Sequence, residues 1–514
     1  MNNWTRKDFL KASLVGGGAA LVAGSSRLHA QAPAAARSGS ANGGIRVGVV
    51  GLNQQGNGHM MNYVPNGRGK VAGAILAAVC DCDSAVLAKR KGEAEKTGNI
   101  KVAGYTDYRK MLEDKNVDAV VIATPNHQHS LMAIWALQAG KDVYVEKPLS
   151  HNVWEGRQVV EASKKYSKNI IFAGTQNRSS EDIAEAIAYV RSGKLGKIKY
   201  ARGLCYKQRD SIGKTTGDQK VPESINYDLW TGPADMVQPH RNSPKYGPVH
   251  YDWHWFWNYG GGDITNQGIH QMDVARWFLG EKGLPPSVMS FGGRFGYLDD
   301  AETPNTLVSV FNYAAAPLIF EVRGLPQKTG MRAMDALRGT RVGVIVQCEN
   351  GYVTISEAGT CNIFDNDNKR LSQLNKNTLG AHRPNFVKAM NARKVTIGDV
   401  TECHYSSALC HLGNVSYLVG AEKTNAALAE AIKANEVTKE TFGRVLEHLK
   451  ANDVNTGTTK TVVGPLLAID AKTETFVGSD KTIVAAANKS ALLKREGRGA
   501  FKIPVMQSGA VARS

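Results

Sequence analysis

Lys147 follows the apolar run Asp142 to Val145 in the tripeptide Glu146-Lys147-Pro148, where a parallel sheet would present its C-terminal edge. A lysine there can reach both a bound cofactor and a substrate. On its own, a lysine before a proline is more often a solvated loop residue. Farther along, the stretch from Gly260 to His270 brings a histidine in behind a glycine-rich approach. Oxidation of a secondary alcohol needs a base for the hydroxyl proton while hydride leaves the same carbon. It also needs a cation or donor for the developing alkoxide. Lys147 and His270 are residue types that can fill these roles. Asp263 is a good helix N-cap, and Asn266, His270, Asp273 and Trp277 then recur at helical spacing on one face. A neighbour one turn away, Asn266 or Asp273, would orient His270.

The elements that must position these groups follow from the hydrophobic pattern. Short β-branched runs at 45–50, 75–80, 117–123, 142–145 and 169–173 alternate with amphipathic stretches at 84–96, 127–139 and 153–166. Strands alternating with helices imply a parallel, doubly wound sheet, in which ligands bind beyond the carboxyl ends of the strands. The first run feeds directly into Gly51-Leu52-Asn53-Gln54-Gln55-Gly56, with Gly56 opening a helix, so backbone amides can face a pyrophosphate. Asn53 stands where a middle glycine is usual and tolerates left-handed backbone geometry. Asp81 ends the second run, where a carboxylate can accept hydrogen bonds from both ribose hydroxyls and repel a 2'-phosphate. The expected cofactor is therefore NAD rather than NADP. Beyond residue 178 the runs lack regular intervening helices, which implies a largely antiparallel sheet, and helical patterns return at 385–392, 404–420 and 426–449.

The four segments around Gly51, Thr124, Lys147 and His270 together resemble the Gfo/Idh/MocA family of nicotinamide-dependent sugar oxidoreductases, over roughly residues 44 to 420. The resemblance implies an α/β protein with an N-terminal Rossmann-type domain and a C-terminal α+β domain. The corresponding boundaries are 44–178 and 179–450, with a C-terminal extension at 451–514. It places Thr124, Pro125, Asn126 and His129 near the cofactor, together with Gly51, Asn53, Gln54, Gln55, Gly56, Asp81, Glu146, Lys147 and Gln176. It assigns catalysis to Lys147, His270 and Asn266, and substrate contact to Arg178, Trp253 and His270. Family members with established dehydrogenase activity carry aspartate where this chain has Asn266. Asparagine can hydrogen-bond a sugar hydroxyl but cannot stabilise an imidazolium by charge.

The aromatic stretches from Tyr227 to Trp230 and from Tyr251 to Trp257 suit carbohydrate, since Trp and Tyr faces pack on sugar C–H groups; most of these rings are expected in the core. The 514 residues carry 63 basic and 46 acidic side chains, a formal charge of +17 spread without a basic block or nucleic-acid motif. The seven cysteines are irregularly spaced, and Cys80 and Cys82 are expected as packing residues, with no metal site. Residues 1–30 read as a Tat-like signal with Arg6-Lys7 in place of twin arginines, and 31–43 as a flexible leader, predicting a periplasmic or secreted protein. No later stretch is apolar enough to span a membrane. The expected activity is hydride transfer from a ring hydroxyl of a sugar or glycoside to tightly bound NAD. The alternative is an NAD-dependent glycosidase working by transient C3 oxidation and elimination, and a plain sugar-binding protein ranks third. The sugar, the carbon and the oligomeric state, a homo-oligomer included, stay open.

Overall fold

The computed structural model describes residues 44–69 and 71–506, so the predicted signal and leader lie outside the described residues. In the first domain, strands β1 (Ile45–Val50), β2 (Ala74–Cys80), β3 (Ala103–Tyr105), β4 (Ala119–Ile122), β5 (Asp142–Val145) and β6 (Ile171–Ala173) form a parallel sheet in the order β3-β2-β1-β4-β5-β6. Helices α1 (Gln55–Asn62), α2 (Ser84–Gly98), α3 (Tyr108–Glu113), α4 (His129–Gln138) and α5 (Val153–Lys165) cover it. Every residue of β4 and β5 is buried, which is why both read as unbroken apolar runs. The strand order reverses between β1 and β4, so their carboxyl ends frame a crevice. The ends of β1, β2, β4 and β5 deliver Gly51, Asp81, Thr124 and Lys147 to that crevice.

The second domain is built on a sheet of twelve strands: β7 (Ile198–Tyr206), β8 (Ser287–Gly293), β9 (Thr306–Phe311), β10 (Leu318–Arg323), β11 (Val342–Cys348), β12 (Gly351–Ser356), β13 (Cys361–Phe364), β14 (Arg370–Leu374), β15 (Ala421–Lys423), β16 (Thr461–Val463), β17 (Leu467–Asp470) and β18 (Thr475–Val477). The parallel pair β7–β10 interrupts an otherwise antiparallel ladder. Helices α6 (Glu181–Arg191), α7 (Asp263–Asn266), α8 (Gly268–Leu279), α9 (His382–Ala392) and α10 (Val400–Leu418) include those covering the face turned to the first domain. Ile187, Met272, Phe320 and Leu412 belong to the shared core there. On the other face, α11 (Asn425–Ile432) and α12 (Glu436–Ala451) bury Leu428 and Phe442 against Phe291 and Ile319. The single helix predicted over 426–449 is split because the Asn435 side chain caps a new start, accepting from the Thr438 amide at 2.9 Å.

Two features join the domains. Helix α10 packs on α5 so closely that a Cβ on Gly156 would lie 2.5 Å from His404 Nδ1. After α13 (Lys481–Asn488) the chain crosses back to the first domain. Arg495 pairs with Glu155 at 2.6 Å and the Met506 amide donates to Gln158 Oε1 at 2.7 Å.

Candidate active site

The glycine-rich turn after β1 is shaped by close backbone approach. Gly51 sits at φ +80°, and a Cβ on it would lie 2.7 Å from the Ala123 carbonyl oxygen; a Cβ on Gly56 would lie 1.6 Å from the Gly51 oxygen. The sequence places left-handed geometry at Asn53, but the structure puts it at Gln54, with φ 42° and ψ −102°. Asn53 instead directs its amide to His250, 3.3 Å away. No side chain caps the N-terminus of α1 and no acid lies in its first turn, so no carboxylate of that turn competes with an anion at this end of the helix. Asp81 accepts from the Leu52 amide at 2.8 Å and the Asp83 amide at 3.0 Å. Burial pushes its carboxyl above the usual range, against the pull of these donors.

These residues line a cavity of about 450 Å³. Both arginines that line this cavity are already paired, Arg109 with Asp107 at 2.6 Å and Arg90 with Glu93 at 2.7 Å, and neither is left unpaired for a 2'-phosphate. Asp81→Asn is expected to erase an NAD-over-NADP preference of about tenfold or more, roughly 1.4 kcal/mol. Titrating both nucleotides against the variant checks this, and an unaltered ratio would remove Asp81 from the role.

A second cavity of about 270 Å³ shares Thr124, Trp253 and His254 with the first. It brings together Gln55, Asn126, His129, Glu146, Lys147, Gln176, Asn266 and His270, drawn from β-strand ends, the 123–129 loop and the α7–α8 junction. Glu146 is its buried hub. Its carboxylate accepts from Gln55 at 3.0 Å, Gln176 at 3.0 Å and the Lys147 amide at 3.1 Å, and meets His59 Nε2 at 2.8 Å. Arg383 Nε donates to His59 Nδ1 at 3.1 Å, so the ring proton sits on Nε2 and points at Glu146. Burial opposes the charge, yet these partners hold the Glu146 carboxyl far below the usual range.

Lys147 Nζ donates to the Asn266 carbonyl at 2.8 Å, tying the end of β5 to the turn that carries Asn266 and His270. Burial lowers the Lys147 ammonium pKa against the attraction of Glu146. Burial, and then the charge of Lys147, push His270 down to about 3, so its imidazole is neutral at physiological pH. Among the described residues neither the Asn266 side-chain amide nor the His270 ring finds a protein hydrogen-bond partner, leaving both available to a ligand. The buried Gln176 Oε1 is also unpartnered, an acceptor that suits an amide donor of a bound group such as a nicotinamide. His129 turns its two ring nitrogens to the carbonyls of Pro148, at 2.6 Å, and Thr124, at 2.8 Å. Burial lowers its pKa, and the neutral ring, with one N–H, donates to one of these two carbonyls.

Several expectations are corrected. Asp263 is not a capping residue: Gly262 occupies that position, and Asp263 forms a bidentate pair with Arg209 at 2.8 and 2.6 Å. The helix expected over 263–277 breaks at Gln267, where Gly268 packs so tightly that a Cβ would lie 2.5 Å from the Phe320 ring. Asp273 makes no hydrogen bond to His270, though its charge favours the imidazolium. It is buried against Arg178, which donates to both its oxygens at 2.8 Å, and it accepts from Ser406 at 2.7 Å. Arg178 therefore lies outside both cavities, its guanidinium 4.7 Å from the centre of the Trp277 ring. Arg178→Ala removes the bidentate partner of a buried carboxylate, leaving it only Arg276 at 3.9 Å and the Ser406 hydroxyl, and should cost about 3 kcal/mol. Denaturant unfolding would register that loss, with KM for the sugar little changed; a raised KM at unaltered stability would restore Arg178 to substrate contact.

The sequence reading passed over three residues at this site. His254 stacks on Trp253 with centroids 3.7 Å apart and is lowered to about 3, chiefly by burial. It lay within the aromatic stretch already singled out. His250 meets Asp83 at 3.0 Å as well as Asn53, so the 245–254 loop of the second domain is fastened over the dinucleotide crevice. Phe501 lines the larger cavity from the C-terminal segment, with no sequence signal to mark it. Most of the remaining rings form the buried cluster of Trp230, Trp255, Phe256 and Tyr259, as expected of core residues.

Comparison with known proteins agrees with this architecture. Residues 45–174 match the profile described as oxidoreductase family, NAD-binding Rossmann fold, and 189–295 match the same family's C-terminal alpha/beta domain. The chain is 28% identical over 181 residues to an inositol 2-dehydrogenase of Salmonella paratyphi B, covering 35% of this chain and 50% of that protein. It is 31% identical over 216 residues to a glycosyl hydrolase family 109 protein of Shewanella baltica, covering 38% and 45%. The chain thus spans about half the length of these relatives. In fold it is similar to myo-inositol 2-dehydrogenase from Lactobacillus plantarum, with a TM-score of 0.51 at 21% identity over 72% of this chain and 98% of that one. It is likewise similar to the WlbA dehydrogenase from Bordetella pertussis, with a TM-score of 0.51 at 19% identity over 72% and 95%. Residues 45–174 and 189–295 thus match, in order around one crevice, the two domains of the Gfo/Idh/MocA oxidoreductase family, an NAD-binding Rossmann domain followed by an alpha/beta domain.

Proposed function

We propose that this protein is an NAD-dependent oxidoreductase that removes hydride from a ring hydroxyl of a sugar, cyclic polyol or glycoside. One observation carries the reading. Lys147, His270, Asn266 and Trp253 converge on a cavity that opens into the crevice holding the Gly51 turn and Asp81. The residues fit the cofactor: an uncapped helix start for the pyrophosphate, Asp81 for the ribose, and the unpartnered Gln176 oxygen toward the nicotinamide end. NAD, when bound, supplies the hydride acceptor.

The chain's own groups do the rest. Lys147, held by the Asn266 carbonyl, donates to the hydroxyl oxygen as negative charge develops there. The neutral His270 accepts the hydroxyl proton as the carbon–hydrogen electron pair leaves, giving a ketone, reduced dinucleotide and imidazolium. The Asn266 amide is placed to bind a second hydroxyl, and Trp253 offers an apolar face to ring C–H groups. The fastened 245–254 loop supports tight retention of the nucleotide. That suits an exported enzyme loaded with cofactor before translocation, and export to the periplasm through residues 1–30 is part of this reading. A screen of polyols and glycosides against NAD-loaded protein, followed by absorbance of reduced dinucleotide, tests it; no reduction by any of them would count against it.

The likeness to glycosyl hydrolase family 109 proteins favours a second reading, a redox-neutral glycosidase in which oxidation at C3 acidifies the C2 proton and the glycosidic bond breaks by elimination. Turnover of a glycoside in deuterated water separates the two. Deuterium at C2 of a released, unoxidised sugar supports the glycosidase, and a keto-product with stoichiometric reduced dinucleotide supports the oxidoreductase.

A further inference from the structure

We propose that Phe501, on the C-terminal segment, is a nucleotide-binding residue that closes the adenine end of the crevice. The inference rests on the NAD-binding reading above and adds a wall that the Rossmann domain itself does not supply. The larger cavity has two distinguishable ends. One meets Thr124, Trp253 and His254, which it shares with the pocket of Lys147 and His270. The other holds Thr106, Tyr108 and Arg109, which follow β3 on the side of β2 away from β1, together with Phe501, which meets Arg109 and Trp135. A dinucleotide with its reacting ring beside Lys147 and a ribose at Asp81 therefore places its second base at the Phe501 end.

The chemistry of that end suits a purine. The Phe501 ring is 7% exposed, with its centre 6.2 Å from that of Trp135 and the guanidinium carbons of Arg498 and Arg109 at 5.0 and 5.7 Å. Both arginines are held in place. Arg109 chelates Asp107, and Arg498 donates to the Asp228 carboxylate and carbonyl, each at 2.6 Å. Of these groups Phe501, Trp135 and Arg109 line the cavity, with Arg498 backing the Phe501 ring, and an aromatic wall beside a fixed guanidinium offers flat, polarisable surfaces to a heteroaromatic base.

The segment is anchored well enough to hold that wall. The Val153 and Trp154 amides donate to the carbonyls of Leu492 and Leu493 at 3.2 and 2.9 Å, and Arg495 reaches the His127 carbonyl at 2.7 Å. Ile503 and Met506 sit in the same apolar cluster as Leu131 and Met132. The chain thus brings a residue more than three hundred and fifty positions beyond α4 back onto that helix, whose Trp135 it touches.

The test uses full-length protein freed of bound nucleotide, titrated with NAD and with ADP-ribose. Phe501→Ala should raise the dissociation constant for both about tenfold, while the single-turnover rate of sugar oxidation at saturating NAD stays unchanged. Phe501→Trp should restore most of the affinity. Ile503→Ala removes apolar volume from the same core without touching the crevice, and should leave both dissociation constants near wild type. Unchanged affinity in Phe501→Ala overturns the proposal, as does an equal loss in Ile503→Ala, which would trace the effect to general loosening of the segment. Wild-type protein that binds neither ligand would instead overturn the NAD-binding reading itself.

Discussion

Replacing Lys147 by alanine is expected to slow hydride transfer by about a hundredfold or more, roughly 2.7 kcal/mol, while the protein still folds and still binds NAD. The lysine lines the smaller cavity, half-buried, with its ammonium fixed on the Asn266 carbonyl and a buried, ionised Glu146 next to it in the chain. A donor so preorganised is worth most when charge appears on the substrate oxygen in a site that excludes water, and little in the ground state. The loss should therefore fall on the single-turnover rate, with the dissociation constant for NAD close to wild type. A second consequence separates this role from a structural one. The charge of Lys147 helps to depress His270, so its removal should let the imidazole pKa rise. An unchanged single-turnover rate in the variant would dismiss Lys147 from the chemistry.

His270→Ala should lower the rate by about 10²- to 10⁴-fold, the usual range for a positioned general base. The sign of its pH dependence follows from its surroundings. With the group lowered to about 3, chiefly by burial and then by Lys147, the neutral, proton-accepting form persists from neutral pH down toward that value. The acid limb of the wild-type profile that belongs to His270 should lie well below pH 6.5. Asn266→Asp puts a carboxylate beside it, favours the imidazolium and should move that limb to higher pH. A limb near 6.5 in wild type, or one unmoved in Asn266→Asp, would mean that another group takes the proton.

The parts of this site that could be read from sequence are those that local pattern controls. Gly51, Asp81, Thr124 and Lys147 each stand at the end of an apolar run, and a parallel sheet delivers such ends to one crevice whatever the rest of the chain does. His270 was legible for a related reason, since a glycine-rich approach and a short helix mark it. What escaped depended on contacts distant in the chain. Arg178 looks like a pocket residue until Asp273, ninety-five positions away, is seen to neutralise it. The helix around Asn266 looks continuous until Phe320 of β10 is found packed on Gly268. The strand β3 is three residues long and contains a glycine, too little to show a periodicity. Phe501 follows a stretch rich in charge and glycine, and only its burial against Trp135 gives it a place.

If the pocket of Lys147 and His270 moves hydride from a ring carbon to NAD, a label on that carbon must reach the dinucleotide. This transfer is tested most directly by following the isotope: NAD-loaded protein is mixed with myo-inositol and with sugars deuterated at each ring carbon in turn, and the mass of the dinucleotide is measured after one turnover. Reduced dinucleotide heavier by about one mass unit is expected for a single labelled position, formed by the wild type and lost in Lys147→Ala and His270→Ala. Substrate turnover with no label reaching the dinucleotide, or transfer that persists undiminished in both variants, would contradict it.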